Sequence, residues 1–181
     1  MTNPIEAWHL DHAYFGRLLA LLHKQVDAFH SDNHPNYDLM LDIISYLRDY
    51  SDHMHHPRED VAFARMAEHC PDMKQPLARL TQEHRIIARA GESLRTLLDE
   101  ILAGSILPKS EVEVTAATYL VYYGNHIAKE EEIVLSRAGQ VLTAADWEAV
   151  RNAVPHRHDP LFGDTSDEHY KELRRHIALE S

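Results

Sequence analysis

The segment QPLARLTQEHRIIARAGESLRTLLDEIL, residues 75–102, carries the clearest periodicity in this chain. Its apolar residues recur every three or four positions, which is the spacing of one face of an α-helix. That face consists of Leu77, Leu80, His84, Ile87, Gly91, Leu94, Leu98 and Ile101. The segment therefore predicts a long amphipathic helix that places one histidine among apolar residues.

Three other segments have the same period and are separated by short stretches rich in turn residues. They cover residues 5–29, residues 37–70 and a stretch that starts near Ser110. Ser110 is followed by Glu113 at the spacing of a capping box, so we expect Ser110 to be the N-cap. Short connections between long helices favour antiparallel neighbours. The sequence thus predicts an all-α, up-down-up-down four-helix bundle over residues 1–140.

The remaining residues, 141–181, have a different character from the four long segments. TAADWEAVRNAV (143–154) predicts a short capped helix, and residues 168–181 predict a second one after a loop. We expect this C-terminal helical extension to pack on the bundle or on a partner. Self-association into a homodimer through it is an open alternative, and His156, His158, His169 and His176 are expected at the surface.

Composition narrows the range of functions. The formal charge of −11 would repel phosphate backbones, so we expect no nucleic-acid partner. The sequence contains no run of 18 apolar residues, so we expect no membrane span. Its first residues have neither a basic start nor an apolar core, so we also expect no secretion signal. A single cysteine, Cys70, indicates a reducing cytoplasm. The unusual feature is the count of 15 histidines.

Four of these histidines lie on the four apolar stripes, one on each helix: His12, His55, His84 and His126. The helical arms from each histidine to its hairpin turn contain 17 and 18 residues in the first hairpin, and 18 and 16 in the second. A helix rises about 1.5 Å per residue, so matched arms bring the histidines of each pair to nearly the same level. One such residue alone would be read as a core histidine, but four at one level predict a shared site.

Two of the four histidines are followed by a glutamate four residues later, Glu59 after His55 and Glu130 after His126. Residues i and i+4 share a helix face, about 6 Å apart. Four imidazoles and two carboxylates suit two adjacent iron or manganese ions with free coordination positions, whereas structural zinc needs only four ligands. Pro57 should kink the second helix. The kink either disturbs the pairing of His55 with Glu59 or aims Glu59 inward.

The motifs LDHAYF (10–15), HHPRED (55–60), QEHRII (82–87) and NHIAKEEE (125–132) resemble those of the hemerythrin-like, or HHE cation-binding, domains. The resemblance covers about Ile5 to Arg137. It implies a non-haem di-iron centre of two iron ions (Fe²⁺/Fe³⁺), oxo- and carboxylate-bridged, with manganese the weaker alternative. It assigns the metal ligands His12, His55, Glu59, His84, His126 and Glu130.

The chain departs from the oxygen-carrier pattern of that family. Carriers have a second histidine four residues after the third-helix one, where this chain has Ala88. Carriers also end in His-x4-Asp, whereas here Glu130 stands at i+4 and Glu131 at i+5. The chain thus resembles the four-histidine, two-glutamate members, which include iron–sulfur repair proteins and iron sensors. The loss of a histidine leaves one iron more open, which favours redox chemistry or sensing over oxygen carriage.

Several residues near the motifs allow a plainer interpretation. His9 is expected at the surface, Glu131 and Glu132 on a solvated face, and His53 and His56 facing solvent or just outside the ligands. Tyr119, Tyr122 and Tyr123 are expected to pack in the core, with a hydrogen bond to a ligand as the alternative. Gly16 and Gly91 serve either access of a small molecule or close helix packing.

Three functional hypotheses follow from these patterns. The first is a cytoplasmic di-iron protein that binds, senses or reacts with O₂, peroxide or nitric oxide, in a stress response. The second is an iron-sensing or iron-donating module that acts through a protein partner at residues 143–181. The third is a helical scaffold whose histidines bind metal only adventitiously. The sequence shows no nucleophile–base pair, phosphate loop, CxxC or HExxH motif, so enzymatic turnover is left open.

Overall fold

The computed structural model describes residues 4–31, 34–155, 159–163 and 168–179, and within them the chain is helical with no strand. This confirms the all-α prediction. The α-helices are α1 (Pro4–Asp27), α2 (Tyr37–Tyr46), α3 (His56–His69), α4 (Lys74–Leu102), α5 (Lys109–Lys129), α6 (Leu135–Val141), α7 (Ala144–Arg151) and α8 (Lys171–Leu179). Short 3₁₀ turns follow α1 and precede α4 and α8.

Four helices close the bundle around its axis. Helix α1 packs against α2 and α5, and α4 packs against the same two helices. The predicted second helix, 37–70, forms as α2 and α3 with a π-helical segment, Leu47–His55, between them. A second π-helical segment, Glu130–Val134, joins α5 to α6. The predicted four long helices are therefore confirmed, but two of them contain wide turns.

Pro57 lies in the first turn of α3, directly after the first π-helical segment. The first turn of an α-helix has amides without intrahelical partners, so a proline there removes no hydrogen bond. The backbone amide of His56 instead reaches back to the carbonyl of Ser51, the long bond of a π-turn. The expected disruption at Pro57 is thus absorbed by the change from π- to α-helix.

The predicted N-cap at Ser110 is wrong. Helix α5 begins at Lys109, Pro108 occupies the capping position, and no side chain caps this end. Pro108 has φ −59° and ψ 124°, the non-helical conformation of a capping residue, and its carbonyl accepts a hydrogen bond from the amide of Glu111. Lys109 also donates a hydrogen bond to the carbonyl of Phe29, which lies in the 3₁₀ turn that follows α1.

Two apolar clusters fill the bundle. Each of its four long segments (α1, α2 with α3, α4, and α5 with α6) contributes to both. One cluster contains Phe15 of α1, Leu47, Ile87 of α4 and Tyr123 of α5. The other contains Trp8, Ala62, Leu80 and Val134. Between its two contributions, each helix places the histidine or glutamate that the sequence analysis singled out. The order of the clusters alternates from helix to helix, which is the up-down-up-down arrangement, and the polar residues form a layer between two apolar ones.

The C-terminal residues pack outside this bundle. Helix α7 is capped by Thr143 and Asp146 in a reciprocal capping box, which confirms the predicted short capped helix. Trp147 of α7 lies edge-on to Trp8, with ring centroids 5.5 Å apart. Leu173 of α8 is fully buried in the first apolar cluster. His169 is exposed and His176 half-buried, whereas His156 and His158 lie outside the described residues.

Candidate metal centre

The structure brings all six predicted ligands together in the polar layer, and each is buried to 4% exposure or less. His12 and His55 form one half of the cluster, with their Nε2 atoms 3.1 Å apart. Oε1 of Glu59 lies 3.0 Å from Nε2 of His55 and 3.4 Å from Nε2 of His12. Oε2 of Glu130 lies 3.5 Å from Nε2 of His12. We call this group of atoms position A.

The other half is built by His84 and His126 and is called position B. Nε2 of His126 lies 3.0 Å from Oε1 of Glu130, and Nε2 of His84 lies 3.5 Å from that same oxygen. Oε2 of Glu59 lies 3.4 Å from Nε2 of His84. Each carboxylate therefore directs one oxygen at position A and the other at position B.

Outside the centre, the Nδ1 atom of each histidine donates a hydrogen bond to a carboxylate on another element of the fold. His12 donates to Glu131 over 2.7 Å and His55 to Asp11 over 2.9 Å. In the other half, His84 donates to Asp60 over 2.9 Å and His126 to Glu83 over 3.2 Å. A carboxylate behind a histidine fixes the tautomer and raises the basicity of the other nitrogen. All four Nε2 atoms are thereby aimed inward as acceptors for a cation.

Sequence reasoning missed these four carboxylates. A signal was present, because each of them is adjacent in sequence to a predicted ligand: Asp11, Asp60, Glu83 and Glu131. All four, however, serve a histidine at least 24 residues away along the chain, so the pairing is visible only in the fold. Glu131 also corrects an expectation, because it is not simply solvated but binds both His12 and the exposed His9. Glu132 is exposed as expected.

His56 lies just outside the ligands, which is one of its two expected placements, and does not face solvent. Its side chain is buried, and its ring stacks on that of His84 with centroids 4.1 Å and planes 9° apart. The solvent-facing alternative assumed a regular α-helix, whereas the preceding π-helical segment changes the facing of the residues that follow it. His53, in the same segment, is exposed as expected, and His9 is also at the surface.

The tyrosines and glycines near the motifs differ in their placement. Tyr119 and Tyr123 are buried in the core, whereas Tyr122 is 45% exposed. The hydroxyl of Tyr123 shares a short hydrogen bond with that of Ser51, which lies 3.2 Å from Nε2 of His56. Gly91 lies against the ring of Tyr119, which is the close-packing alternative. Gly16 is exposed and lies off the buried stripe.

The electrostatics of the cluster couple its histidines to its carboxylates. Burial acts to lower the pKa of His55, but the carboxylates of Glu59 and Asp11 outweigh it and raise that pKa to about 10. Burial likewise opposes protonation of His84, but its hydrogen bond to Asp60 and the nearby carboxylates of Glu130 and Glu59 raise its pKa to about 11. Burial would raise the pKa of Glu59, yet the histidines around it hold that pKa well below its usual range.

The donor set fits a cation better than it fits a hydrogen-bonded core. Five buried atoms of the centre make no hydrogen bond to any residue that the structure describes: Oε1 and Oε2 of Glu59, Nε2 of His84, Nε2 of His126 and Oε1 of Glu130. Buried polar atoms are nearly always satisfied, and unsatisfied ones call for an ion or a specific role. Here the five converge, so a metal ion at each position would satisfy them.

A helical bundle with a buried histidine–carboxylate centre of this kind defines a metal-binding bundle protein. The family model of the hemerythrin HHE cation binding domain matches residues 3–138. The chain belongs to this family. No curated protein and no solved structure matches it. The match and the buried cluster together make this chain a metal-binding protein, and among the described residues no helix is long and apolar enough to cross a membrane.

Proposed function

We propose that this chain is a non-haem di-iron protein that binds, senses or reacts with O₂, peroxide or nitric oxide in the cytoplasm. One observation carries the proposal. Glu59 and Glu130 each direct one oxygen at position A and the other at position B. Carboxylates in this arrangement suit two adjacent ions, each with two imidazoles, and such a set favours iron or manganese. The iron preference comes from the family to which the chain belongs.

Two imidazoles and two carboxylate oxygens give each position four protein donor atoms. Iron in a nitrogen and oxygen environment takes up to six, so positions remain for a small exogenous ligand. When bound, a pair of irons would supply the electrons and the open positions for such a ligand. This donor set therefore supports reaction with a small ligand better than a purely structural role.

The residues around the centre keep bulk water away from it. Phe15 packs edge-on against His55 with centroids 5.1 Å apart, and Trp8 lies 6.0 Å from the same ring. Phe63 lies against His84 with centroids 5.7 Å apart. An apolar wall strengthens electrostatic interactions inside it and admits small uncharged molecules more readily than ions. This lining supports O₂ and nitric oxide as ligands.

A hydrogen-bonded path links the centre to the surface. Nδ1 of buried His12 donates to Oε1 of Glu131, and Oε2 of Glu131 is 2.6 Å from Nδ1 of His9. The side chain of His9 is 47% exposed. Glu131 can thus hold or pass a proton between solvent and a ligand residue while the centre itself stays dry. Reactions of O₂ and peroxide consume protons, so this path supports the proposal.

The alternative of an iron-donating module needs a contact surface on residues 143–181. In the described part of that segment, Tyr170 and Leu173 are buried in the bundle core. Because these apolar side chains are buried, they are not available to bind a partner. This favours a function carried by the metal centre itself.

The test is anaerobic loading of the full chain with Fe²⁺, metal analysis, and stopped-flow mixing of the loaded protein with O₂, hydrogen peroxide or nitric oxide. We expect about two irons per chain and a rapid spectral change with at least one of the three. The matched control is a His126→Ala variant treated in the same way, which should show reduced loading and no comparable change. An unchanged spectrum with every reactant in the loaded protein would contradict the proposal.

A further inference from the structure

A trough lies between α3 and α4 on the outside of the bundle. It has a volume of about 530 Å³ and is lined by four residues of α3 and six of α4. Short side chains on both helices leave this space, namely those of Ala64 and Ala67 on α3 and of Ala78 on α4. The volume lies within the range of roughly 300–1,000 Å³ that is typical of small-molecule sites. The trough is therefore large enough for a small organic ligand.

The middle of the trough is an apolar surface that lies next to solvent. Phe63 and Leu77 line it and are each 2% exposed, whereas the lining residues Ala64 and Ala78 are exposed. Buried apolar side chains thus form the floor, and the alanines leave that floor open to a molecule from solvent. An apolar molecule that covers such a floor is removed from water, which favours binding.

One end of the trough is polar. Thr81, Gln82 and Arg85 line it there, within about one turn of α4. Asp60 lies at the same end, but its Oδ1 already accepts the 2.9 Å hydrogen bond of His84. Arg85 has no carboxylate oxygen within 4.0 Å in the part of the chain that the structure describes. Its guanidinium is thus available to a carboxylate, which it can bind through two parallel N–H···O bonds.

A gap in helix packing beside a solvated arginine is the plainer interpretation. It does not account for the division of the lining into an apolar stretch and a polar end. Lys74, the other cation of the lining, lies about 16 Å from Arg85 along α4, with the apolar stretch between them. The chain has a formal charge of −11, so an anion is attracted only where local cations outweigh the overall charge. The arrangement matches a molecule with an anionic head and an apolar body.

We propose that this trough binds a small amphipathic carboxylate, with its head on Arg85 and its apolar body over Phe63 and Leu77. The site is separate from the proposed metal centre and does not depend on it. The two are nevertheless neighbours, because the ring of Phe63 lies against that of His84 and Asp60 binds Nδ1 of His84. The side chain of Asp60 is 40% exposed, so a bound molecule would cover this side of position B.

The test uses n-decanoate as the probe, titrated into the metal-free full chain by calorimetry below its micelle concentration. The comparison ligand is n-decylammonium, which has the same apolar chain and the opposite charge. We expect one decanoate to bind per chain, and decylammonium to bind at least tenfold more weakly. Non-specific attraction to this acidic protein would give the reverse order. Tighter binding of decylammonium, or no binding of decanoate, would overturn the proposal.

Two variants locate the site. Ala78→Phe fills the trough from an exposed position, and Arg85→Gln removes the guanidinium. We expect each to weaken decanoate binding at least tenfold. The matched controls are Ala20→Phe on the exposed face of α1 and Arg89→Gln one turn beyond Arg85, which should equal wild type. Circular dichroism checks that all four variants keep the helical content of wild type.

Amide NMR spectra give a second readout that needs no variant. Decanoate should shift signals of residues 60–67 and 74–85 and leave those of α1 and α5 in place. Shifts centred on other helices would overturn the proposal, as would equal affinities of wild type, Ala78→Phe and Arg85→Gln. Every measurement is made without metal, so each of these outcomes leaves the proposed di-iron function untouched.

Discussion

Nδ1 of His12 donates a 2.7 Å hydrogen bond to Oε1 of Glu131, across the interface between α1 and the second π-helical segment. His12 is almost fully buried, whereas the side chain of Glu131 is 34% exposed. This carboxylate orients the imidazole of a proposed metal ligand from the outside of the bundle. Because Glu131 is partly exposed, replacing it leaves the packing of the core unchanged. A Glu131 variant therefore tests directly how much this hydrogen bond to His12 contributes to metal binding.

We expect Glu131→Gln to lower the metal affinity of the centre by about 10- to 100-fold, the usual cost of losing a partner behind a metal-binding histidine. The amide keeps the size of the side chain but accepts a weaker hydrogen bond and carries no charge. Competition with a chelator of known affinity measures the change. Glu132→Gln, which alters an exposed neighbour, should match wild type, and equal affinities of all three proteins would contradict the prediction.

We expect His126→Ala to remove at least one of the two metal ions, because His126 provides one of the imidazoles of position B. Elemental analysis of protein purified without a histidine tag checks this. The control is His23→Ala, whose side chain is 63% exposed and pairs with Asp27 on its own helix. A His126→Ala protein with unchanged metal content and melting temperature would favour the adventitious-scaffold hypothesis.

Metal loading should stabilise the fold. A ligand at 100 times its Kd adds about 2.7 kcal/mol to the free energy of unfolding, which corresponds to a rise of roughly 5–10 °C in Tm for a chain of this size. The physical reason is that the five unsatisfied buried atoms of the centre gain a partner. Calorimetry before and after chelation measures the difference. A Tm that is insensitive to chelation would show that the fold does not depend on the centre.

Metal binding should release protons near neutral pH. The pKa values of about 10 for His55 and about 11 for His84 lie above the unfolded value of 6.5. In the metal-free protein these rings are therefore protonated at pH 7, and a metal must displace those protons. Metal affinity should thus rise from pH 7 towards pH 10. The raised pKa values also stabilise the metal-free fold fully below pH 6.5, and that contribution is lost as the pH rises through 10.

The proton release is measured with an indicator dye in weakly buffered solution during metal addition. Zinc can replace iron in this experiment, since it has no redox chemistry to complicate the signal. An affinity that is independent of pH between 7 and 9 would contradict the prediction.

Two glycines give a matched test of packing in the bundle. Gly16 is exposed, and no atom of the described residues lies within 4 Å of an added Cβ. Gly16→Ala should therefore increase the free energy of unfolding by about 1 kcal/mol. At Gly91 an added Cβ would lie 3.0 Å from Cε2 of Tyr119, and overpacking costs about 1–3 kcal/mol. Gly91→Ala should therefore be less stable than Gly16→Ala by at least that cost. Equal urea midpoints for both variants would mean that Tyr119 moves freely.

The sequence was sufficient to predict the bundle and to select the six residues that meet in its polar layer. The helices and their four histidines follow from the apolar period, and the two glutamates follow from their i+4 spacing to His55 and His126. Periodicity could not decide between the two placements expected for His56, since the period assumes α-helix and the chain inserts a π-turn before that residue. The N-cap of α5 was also mispredicted, because Ser110 and Glu113 have the spacing of a capping box although the helix already begins at Lys109.

The carboxylates that accept hydrogen bonds from the histidines show a second limit of prediction from sequence. Asp11 precedes His12 in sequence but serves His55, and Glu83 precedes His84 but serves His126. Local sequence therefore identifies the right residues beside the ligands and would pair them wrongly. Only the relative height of two neighbouring helices decides which histidine each carboxylate reaches.

That crossed pairing gives the centre a mechanical property. Asp11 and His12 are neighbours on α1. A shift of this helix along its axis would therefore displace the imidazole of His12 and also break the hydrogen bond between Asp11 and His55 of another helix. Glu83 and His84 tie α4 to α5 in the same way. The four histidine–carboxylate hydrogen bonds thus connect the helices in a closed ring. A shift of one helix would disturb the bonds to its neighbours, so the centre should form or come apart as one unit.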